Sequence, residues 1–390
     1  MVSRDPEDRI RLAVVTSGQT TPTETFILAH LQRLPFEITH LYGYHDQYLH
    51  QNQSVRSILG ADLPSLTSRL SNLLPQYLAI RVRHRFEKPL CDRKLLGRFL
   101  VERKIDAVLA EYGMIGAFLA PVCEDSGIPL VVHFHGADAT KREYVVGFSE
   151  SYKTMFAYVS ACIAVSKKMC EDLMKLGCAA EKIRLCPYGP DDRFFACHPN
   201  YHSDQMIAIG RLTEKKAPHL TILAFAEVLK SNPNLRLVMI GDGELRGVCE
   251  DLVKSLYLEG KVFLRGAQTP EQIRCEIDRS FLFVQHSVQA WDGDCEGTPV
   301  SVLEAGAAGL PVVATRHAGI SDVVIHEKTG MLCEERDIKT MANYLRLLAN
   351  DREKTRAFGA AAQNHIRNNF SMDRHLTSLS SVISNCVLKV

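Results

Sequence analysis

The chain has 390 residues, of which 46% are hydrophobic and 23% charged, and these are the values of a globular protein long enough for two domains. A formal net charge of +1 gives no global argument for binding nucleic acid or another polyanion. Because the chain has no apolar run of about 18 residues and its polar N-terminus has no signal-peptide core, we expect a cytoplasmic protein without a membrane span.

Short β-branched runs alternate with segments of helical periodicity along the first half of the chain. The runs predict buried strands at 11–18, 36–44, 106–112, 129–135, 161–166 and 183–188. Because helical segments separate these strands, the pattern predicts βαβ units and a parallel sheet.

Three sites in this half carry polar or glycine signals. Gly18 ends the first predicted strand, and Glu24 stands at the start of the next helical segment, where the simplest interpretation is a hydroxyl cap with an acid in the first turn. The strand at 129–135 ends in His135, and Asp138 follows three positions later, so polar groups emerge where that strand ends. His133 points to the other face of the strand and is expected to be structural.

The segment 51–105 leaves two interpretations open. Its leucine-rich part, 65–80, is followed by basic residues up to position 104. A basic amphipathic stretch can lie on an anionic surface, so one hypothesis is peripheral contact of residues 65–104 with the inner face of a membrane. The other hypothesis is a solvated face around an ordinary core helix.

The strand–helix alternation begins again after a turn-rich break that ends near residue 200. The second set of predicted strands lies at 206–211, 235–241, 261–265, 281–285 and 311–315. We therefore expect an α/β protein with two facing, doubly wound domains at 1–200 and 201–372, and a helix at 373–390 that crosses back onto the first domain. Ligands of such sheets bind beyond the carboxyl ends of the strands, so the deep cleft between the domains is the expected site.

Gly210, Arg211 and Lys216 close the first strand of the second set. Gly210 permits a tight turn, and the two cations come near a helix N-terminus, where the helix dipole and free N–H groups favour anions. The pattern predicts a diphosphate site, while the simpler interpretation is two surface cations. Gly241 and Gly243 form a second glycine turn after the next strand, which alone is weak evidence for a site.

Glu296 and Glu304 are separated by seven residues. The first lies beside Gly297 in a predicted loop, where the absence of a side chain lets backbone N–H groups approach a ligand. The second lies in a helix predicted to start near Pro299. An ionised carboxylate accepts hydrogen bonds from paired hydroxyl groups, so this segment predicts a site for a hydroxyl-rich ligand.

These motifs resemble those of the retaining glycosyltransferases of the glycogen-synthase-like group, glycosyltransferase family 4. Three motifs carry the resemblance: the Glu-x7-Glu segment at 296–304, the Gly-Arg-Leu-x3-Lys element at 210–216 and the His-Gly-x-Asp element at 135–138. The resemblance covers most of the chain outside 45–105. It implies the GT-B architecture, in which two Rossmann-like domains bind a nucleotide sugar on the second domain and an acceptor on the first.

The resemblance also implies the roles of the candidate residues. The catalytic set would be His135 beside the transferred sugar, Arg211 and Lys216 on the diphosphate, and Glu296 on the sugar hydroxyls, while Glu304 would bind the ribose. The remaining donor contacts would be Gly18, Gly210, Gly241, Gly243, Gly297, Thr298 and Pro299. Glu24 and Asp138 would lie on the acceptor side.

Three features of the sequence depart from the family pattern or invite another interpretation. Ala217 stands where the family usually has glycine, and His286 where it usually has proline, which leaves sugar specificity open. Asp292 and Asp294 form an Asp-x-Asp pair, the mark of metal-dependent transferases with a single-sheet architecture. Because two cations are already present at 211 and 216, we interpret the pair as loop structure or the edge of the sugar pocket and predict no metal and no cofactor.

The expected function is therefore the retaining, metal-independent transfer of a sugar from a nucleotide diphosphate sugar to a hydroxyl acceptor. A UDP-sugar is the favoured donor, GDP-mannose stays open, and the acceptor is expected to be a saccharide or a lipid-linked saccharide. Two alternatives remain: a catalytically silent subunit that binds nucleotide sugar and regulates a partner, and a transferase that acts on small natural products.

Overall fold

The computed structural model describes residues 9–18, 24–42, 50–51, 54–57 and 93–388. The predicted leucine-rich segment 65–80 lies outside these residues. The chain forms two compact units, the first with Met1–His133, Glu150–Cys162 and Ser380–Val390, and the second with Phe134–Ser149 and Ile163–Leu379. The domain bounds expected from the sequence stay a prediction.

Within the described residues, the first sheet has eight strands in the order β4-β3-β2-β1-β5-β6-β7-β8. Its strands are β1 Arg11–Thr16, β2 Glu37–Tyr42, β3 His50–Gln51, β4 Ser54–Ser57, β5 Ala107–Glu111, β6 Leu130–His133, β7 Ala161–Ala164 and β8 Ile183–Leu185. Strand β1 pairs in parallel with β2 and β5, and β5 with β6, as predicted. The sequence did not predict β3 and β4, which add an antiparallel edge.

The second sheet has six strands in the order β11-β10-β9-β12-β13-β14. Its strands are β9 Gln205–Ile209, β10 Arg236–Ile240, β11 Val262–Leu264, β12 Leu282–Gln285, β13 Val312–Thr315 and β14 Gly330–Cys333. Every neighbouring pair is parallel. Strand β14 was not predicted, because Gly-Met-Leu-Cys contains no β-branched residue.

Fifteen α-helices lie within the described residues. They are α1 Thr25–Arg33, α2 Arg93–Glu102, α3 Gly113–Ser126, α4 Ala137–Thr140, α5 Arg142–Gly147, α6 Ser149–Tyr158, α7 Lys167–Lys175, α8 Pro218–Leu229, α9 Arg246–Ser255, α10 Pro270–Asp278, α11 Val300–Ala308, α12 Ile320–Val323, α13 Ile338–Asn350, α14 Arg352–Asn369 and α15 Met372–Val387. None of these helices combines the length and apolar character that crossing a bilayer requires.

Two helices bear on sequence predictions. Helix α2 is the described part of the basic stretch, and Leu96 and Leu100 on it are buried in the first unit, which supports the core-helix interpretation for these residues. Helix α15 is the predicted C-terminal helix, and the chain from Ser380 onward belongs to the first unit.

The start of helix α1 differs from its prediction. Glu24 occupies the N-cap position rather than the first turn, and its side chain makes no capping hydrogen bond. Its Oε1 instead accepts a hydrogen bond of 2.7 Å from the hydroxyl of Tyr112. The side chain therefore bonds to a residue distant in sequence and does not cap its own helix, so the contact does not support the simplest interpretation of this position.

A polar cluster lies inside the first unit at the ends of β5 and β6. Nδ1 of His30 lies 2.7 Å from Oε1 of Glu111, and Nδ1 of His133 lies 3.4 Å from Oε2 of the same carboxylate. All three side chains are fully buried. The contacts tie α1 to two neighbouring strands and give a buried carboxylate the partners that it needs. His133 is thus buried in the fold, as predicted.

The core of the second unit lies between its sheet and the flanking helices. Met206, Leu237 and Leu282 from the strands are fully buried, as are Phe225 on α8 and Leu345 on α13. Strands covered on both faces must be apolar along their length, which explains why these runs could be recognised in the sequence. The sheet is thereby a rigid base for the loops at its carboxyl ends.

Helix α3 packs against the first sheet through Gly116. A Cβ atom at this position would lie 2.5 Å from Cγ2 of Val132 on β6 and 2.8 Å from Sδ of Met155 on α6. We expect Gly116→Ala to lower the free energy of unfolding by about 1–3 kcal/mol, because the helix must move away from the sheet. Urea-induced unfolding measures this.

Gly247→Ala is the matched control, because a Cβ on this exposed residue of α9 meets no atom within 4 Å. Alanine is the better helix former, so this variant should gain about 0.5–1 kcal/mol. Equal effects of the two substitutions would contradict the packing described for Gly116.

Candidate functional site

A pocket with an empty volume of ≈ 300 Å³ opens in the second unit where β9 ends. Its lining includes Gly210, Arg211 and Lys216, the three residues predicted to bind a diphosphate. Helix α8 begins directly after this turn, so its N-terminus and two cations converge on one place. That arrangement favours an anion.

Ala217 explains why glycine is usual after the lysine of this element. It is fully buried and adopts the left-handed conformation, with φ 38° and ψ 54°, just before α8. Glycine has no steric cost in this region, whereas alanine has one. The departure therefore preserves the turn at the cost of local strain.

Lys216 and Glu296 form an ion pair inside the site. Nζ lies 3.1 Å from Oε1, and the side chains are only 14% and 8% exposed. Burial lowers the pKa of Lys216, and Glu296 partly opposes that effect. Burial alone would raise the pKa of Glu296, but Lys216 and Lys215 outweigh it and hold that pKa below its ordinary value. The predicted diphosphate cation and sugar carboxylate therefore meet directly.

The loop from Glu296 to Pro299 packs against the loop after β6. A Cβ on Gly297 would lie 2.4 Å from the carbonyl oxygen of His135, so only glycine permits this approach. Thr298 fixes the loop further, since Oγ1 donates a 2.6 Å hydrogen bond to the carbonyl of Val165. The structure thus brings the His-Gly-x-Asp and Glu-x7-Glu motifs into backbone contact within the second unit.

The ring of His135 is held by Tyr188. The tyrosine hydroxyl hydrogen-bonds Nδ1, and the two rings stack with centroids 6.0 Å apart. Asp138 is 1% exposed, and its Oδ1 accepts hydrogen bonds of 2.9 Å from the N–H groups of His135 and Gly136. Asp138 orders this turn, and its expected acceptor contact stays a prediction. Sequence reasoning missed Tyr188 as a site residue.

The two glycine turns of the second unit touch each other. A Cβ on Gly241, which has φ 132°, would lie 2.0 Å from the carbonyl oxygen of Gly210, and one on Gly243 would lie 2.6 Å from that of Leu212. The N–H of Leu212 donates a 2.9 Å hydrogen bond to the carbonyl of Asp242. The glycine turn at 241–243, predicted to contact the donor, therefore lies against the turn predicted for the diphosphate.

Glu304 lies on helix α11, which begins after Pro299 as predicted. The side chain is partly buried. Burial and the carboxylate of Asp191 raise its pKa to about 7, and Lys216 opposes them. Near neutral pH such a carboxyl can both accept and donate hydrogen bonds, which suits a pair of hydroxyl groups.

The Asp-x-Asp pair is bonded both within its own loop and to two other segments of the second unit. Nζ of Lys215 donates to Oδ1 of Asp294 at 3.0 Å and to the carbonyl of Cys295 at 3.3 Å. Oδ1 of Asp292 accepts a 3.0 Å hydrogen bond from the N–H of Asp294, and the backbone carbonyl of Asp292 accepts one of 2.8 Å from the N–H of Arg142. These contacts support the interpretation of the pair as loop structure. The absence of a metal stays a prediction.

Two histidines in loops that follow strands of the second sheet, His317 and His286, also support the site, and sequence reasoning did not single out His317. The N–H of Glu296 donates a 3.1 Å hydrogen bond to Nε2 of His317, whose Nδ1 lies 2.6 Å from Oε1 of Glu335. His286, which replaces the usual proline, accepts the N–H of Arg336 on Nε2 at 2.8 Å. Burial lowers the pKa of His286 to about 4, so it stays a neutral acceptor.

Two predicted residues belong to the first unit. The carbonyl of Gly18 accepts a 2.8 Å hydrogen bond from Oγ1 of Thr16, which shapes the end of β1. Glu24 contacts Tyr112, as described above. Their roles toward donor and acceptor stay predictions.

Comparison with known proteins covers both halves of the chain. The family model described as Glycosyltransferase Family 4 matches residues 69–194, and the model described as Glycosyl transferases group 1 matches residues 196–365. The two matches follow each other along the sequence and meet near residue 195.

Relatives of similar size support these matches. The putative colanic acid biosynthesis glycosyltransferase WcaL of Escherichia coli K12 is 28% identical over 294 residues, which cover 73% of this chain and 72% of WcaL. The amylovoran biosynthesis glycosyltransferase AmsK of Erwinia amylovora is 28% identical over 283 residues, or 71% of this chain and 70% of AmsK. The structure of Anabaena HepE in complex with UDP is similar in fold, with a TM-score of 0.70 and 16% identity over 96% of this chain and 100% of HepE.

Glu304 makes stability depend on pH in the absence of donor. Because folding raises its pKa from 4.5 to about 7, the folded state favours the protonated form, and this favourable contribution is lost as pH rises from 4.5 through 7. We expect Glu304→Gln to be more stable than wild type by up to about 3 kcal/mol at pH 8, whereas the two proteins should be almost equally stable at pH 4.5. Thermal unfolding at both pH values measures the difference.

Glu259→Gln removes an exposed carboxylate and serves as the control, for which we expect no such pH-dependent gain. A constant difference between Glu304→Gln and wild type across this pH range would contradict the raised pKa.

Proposed function

The chain belongs to the family 4 type of GT-B glycosyltransferases and is a transferase with the α/β two-domain GT-B fold, and we propose that it moves a sugar from a nucleotide diphosphate sugar to a hydroxyl acceptor. The proposed reaction retains the anomeric configuration and needs neither a metal ion nor a cofactor. A UDP-sugar is the proposed donor, and a saccharide or lipid-linked saccharide is the proposed acceptor.

The observation that carries this proposal is the Lys216–Glu296 contact of 3.1 Å. It joins an anion-binding group and a hydroxyl-binding group in one poorly hydrated place, and Arg211 lines the same pocket as Lys216. A nucleotide diphosphate sugar carries the matching groups side by side, since its diphosphate is attached directly to the sugar.

The charges of the site suit departure of the nucleotide diphosphate. Negative charge builds up on the diphosphate as the bond to the sugar breaks, and fixed cations and N–H groups stabilise it without rearrangement. Arg211, Lys216 and the N-terminus of α8 are the proposed stabilising groups. The acceptor hydroxyl would attack from the face that the diphosphate leaves, so that configuration is kept, and its proton would pass to the departing diphosphate oxygen on that face. Glu296 would hold the sugar hydroxyls, and His135 would lie beside the sugar.

The relatives support the donor and acceptor classes. WcaL and AmsK are named for colanic acid and amylovoran biosynthesis, which favours polysaccharide biosynthesis and a saccharide or lipid-linked acceptor for this chain. The HepE structure contains UDP, which favours UDP over other nucleotides. Peripheral membrane contact through residues 65–104 would bring a lipid-linked acceptor close to the protein, and we retain it as part of the proposal.

The proposal is tested by thermal shift and transfer assays with EDTA present throughout. Purified protein is screened against UDP, GDP, ADP and their common sugar conjugates, and a ligand at a hundredfold excess over its Kd stabilises the native state by about 2.7 kcal/mol. We expect one nucleotide class to raise the melting temperature. Arg211→Ala should weaken that nucleotide about tenfold or more and slow transfer about 100-fold or more, because a charged hydrogen-bond donor is lost.

Lys254→Ala is the matched control, since it removes an exposed cation on α9 that does not line the pocket. It should bind and turn over like wild type. Near-normal transfer by Arg211→Ala would refute the diphosphate assignment. Nucleotide binding without transfer to any saccharide or lipid-linked acceptor would instead favour a catalytically silent subunit.

A further inference from the structure

A buried histidine after β13 is bonded to the main chain of the Glu-x7-Glu segment. His317 is 2% exposed, and its Nε2 accepts a 3.1 Å hydrogen bond from the N–H of Glu296. Its Nδ1 lies 2.6 Å from Oε1 of Glu335. The imidazole therefore stands between a backbone donor on one side and a carboxylate on the other.

These two partners determine which ring nitrogen of His317 carries the proton. A nitrogen that accepts from an N–H group has no proton of its own, so Nε2 is bare and Nδ1–H donates to Glu335. Although burial alone would raise the pKa of Glu335, the bonds from His317 and from the N–H of Gln289 hold it below its ordinary value. The carboxylate is thus ionised near neutral pH and holds the ring in this single tautomer.

Glu335 is itself held in place by its surroundings. Its Oε2 accepts the N–H of Gln289 at 2.9 Å and lies 3.3 Å from Nη1 of Arg336. The N–H of Arg336 in turn bonds to His286 at 2.8 Å. The segment after β14 therefore contacts both ends of the loop 286–296. Arg336 bonds directly to His286 at the start of the loop, and Glu335 reaches Glu296 at its end through His317.

The position of Glu296 depends on one contact at its side chain and one at its main chain. The side chain pairs with Lys216, and the N–H is bonded to His317. A donor whose diphosphate binds Lys216 would weaken the first contact while leaving the second intact. The bond to His317 would then be the direct contact that still holds Glu296, beside the contacts of the neighbouring residues Cys295 and Thr298.

We propose that His317, oriented by Glu335, is a positioning residue that fixes Glu296 for recognition of the donor sugar. The inference rests on the proposed function, because it gives His317 a task only in a site that binds a nucleotide sugar. It predicts a specific effect on the sugar part of the donor and none on the nucleotide part.

The test compares UDP with UDP-glucose, and GDP with GDP-mannose, by isothermal titration calorimetry in EDTA. His317→Leu removes the acceptor of the Glu296 N–H. We expect this variant to bind the nucleoside diphosphate like wild type but the sugar nucleotide about tenfold or more weakly, as for one misplaced charged hydrogen bond. His317→Gln, whose amide oxygen reaches toward the position of Nε2, should recover most of the loss.

Two matched controls separate positioning from general stability. His326 also accepts a backbone N–H, that of Leu332 at 2.9 Å, so His326→Leu removes the same kind of bond at another place. Glu335→Gln should weaken the sugar nucleotide, whereas Glu334→Gln should not, because Glu334 pairs with Arg316 instead. If His317→Leu does not fold, the comparison of Glu335→Gln with Glu334→Gln still tests the proposal.

The outcomes are distinguishable. Equal weakening of nucleotide and sugar nucleotide by His317→Leu, or a loss of thermal stability alone as in His326→Leu, would make His317 merely structural and overturn the inference. Failure of wild type to bind any nucleotide or sugar nucleotide of the thermal-shift screen would refute the proposed function, and the inference would fall with it.

Discussion

The ion pair between Lys216 and Glu296 is the interaction on which the candidate site depends. Its charged atoms lie 3.1 Å apart and both side chains are largely buried, so each ion has lost most of its water. An unpaired charge in such a place costs several kcal/mol, and each residue therefore requires the other while the site is empty. Under the proposed function, a bound donor replaces this ion pair. Its diphosphate pairs with Lys216, and its sugar hydroxyl groups donate hydrogen bonds to Glu296.

Close backbone packing gives that pair its geometry. Gly241 leaves room for the carbonyl of Gly210, and Gly297 leaves room for that of His135, so motifs far apart in the sequence come into direct contact. Lys215 and His317 then hold the loop around Glu296 from two sides, through its preceding carbonyl and its own N–H. Side chains that never touch the ligand can thus decide where the ligand-binding groups lie.

Much of this could be predicted from the sequence, for physical reasons. Strands covered on both faces are apolar along their length, so runs such as 12–15 are visible, whereas β3 and β4 are too short and polar to show a pattern. The resemblance of their motifs to those of family 4 glycosyltransferases predicted Lys216 and Glu296 as members of one site, and the structure brings them into contact. His317 and Glu335 could not be predicted, because a histidine and a glutamate 18 positions apart show no pattern until pairing of β13 with β14 brings them together.

The most direct test of the account is a crystal structure of the protein with the nucleotide sugar that the thermal-shift screen selects, grown in EDTA. The account predicts diphosphate oxygens within about 3.2 Å of Nζ of Lys216 and of the Arg211 guanidinium, with sugar hydroxyl groups on the carboxylate of Glu296. A donor bound elsewhere, with the Lys216–Glu296 contact still at 3.1 Å, would contradict it.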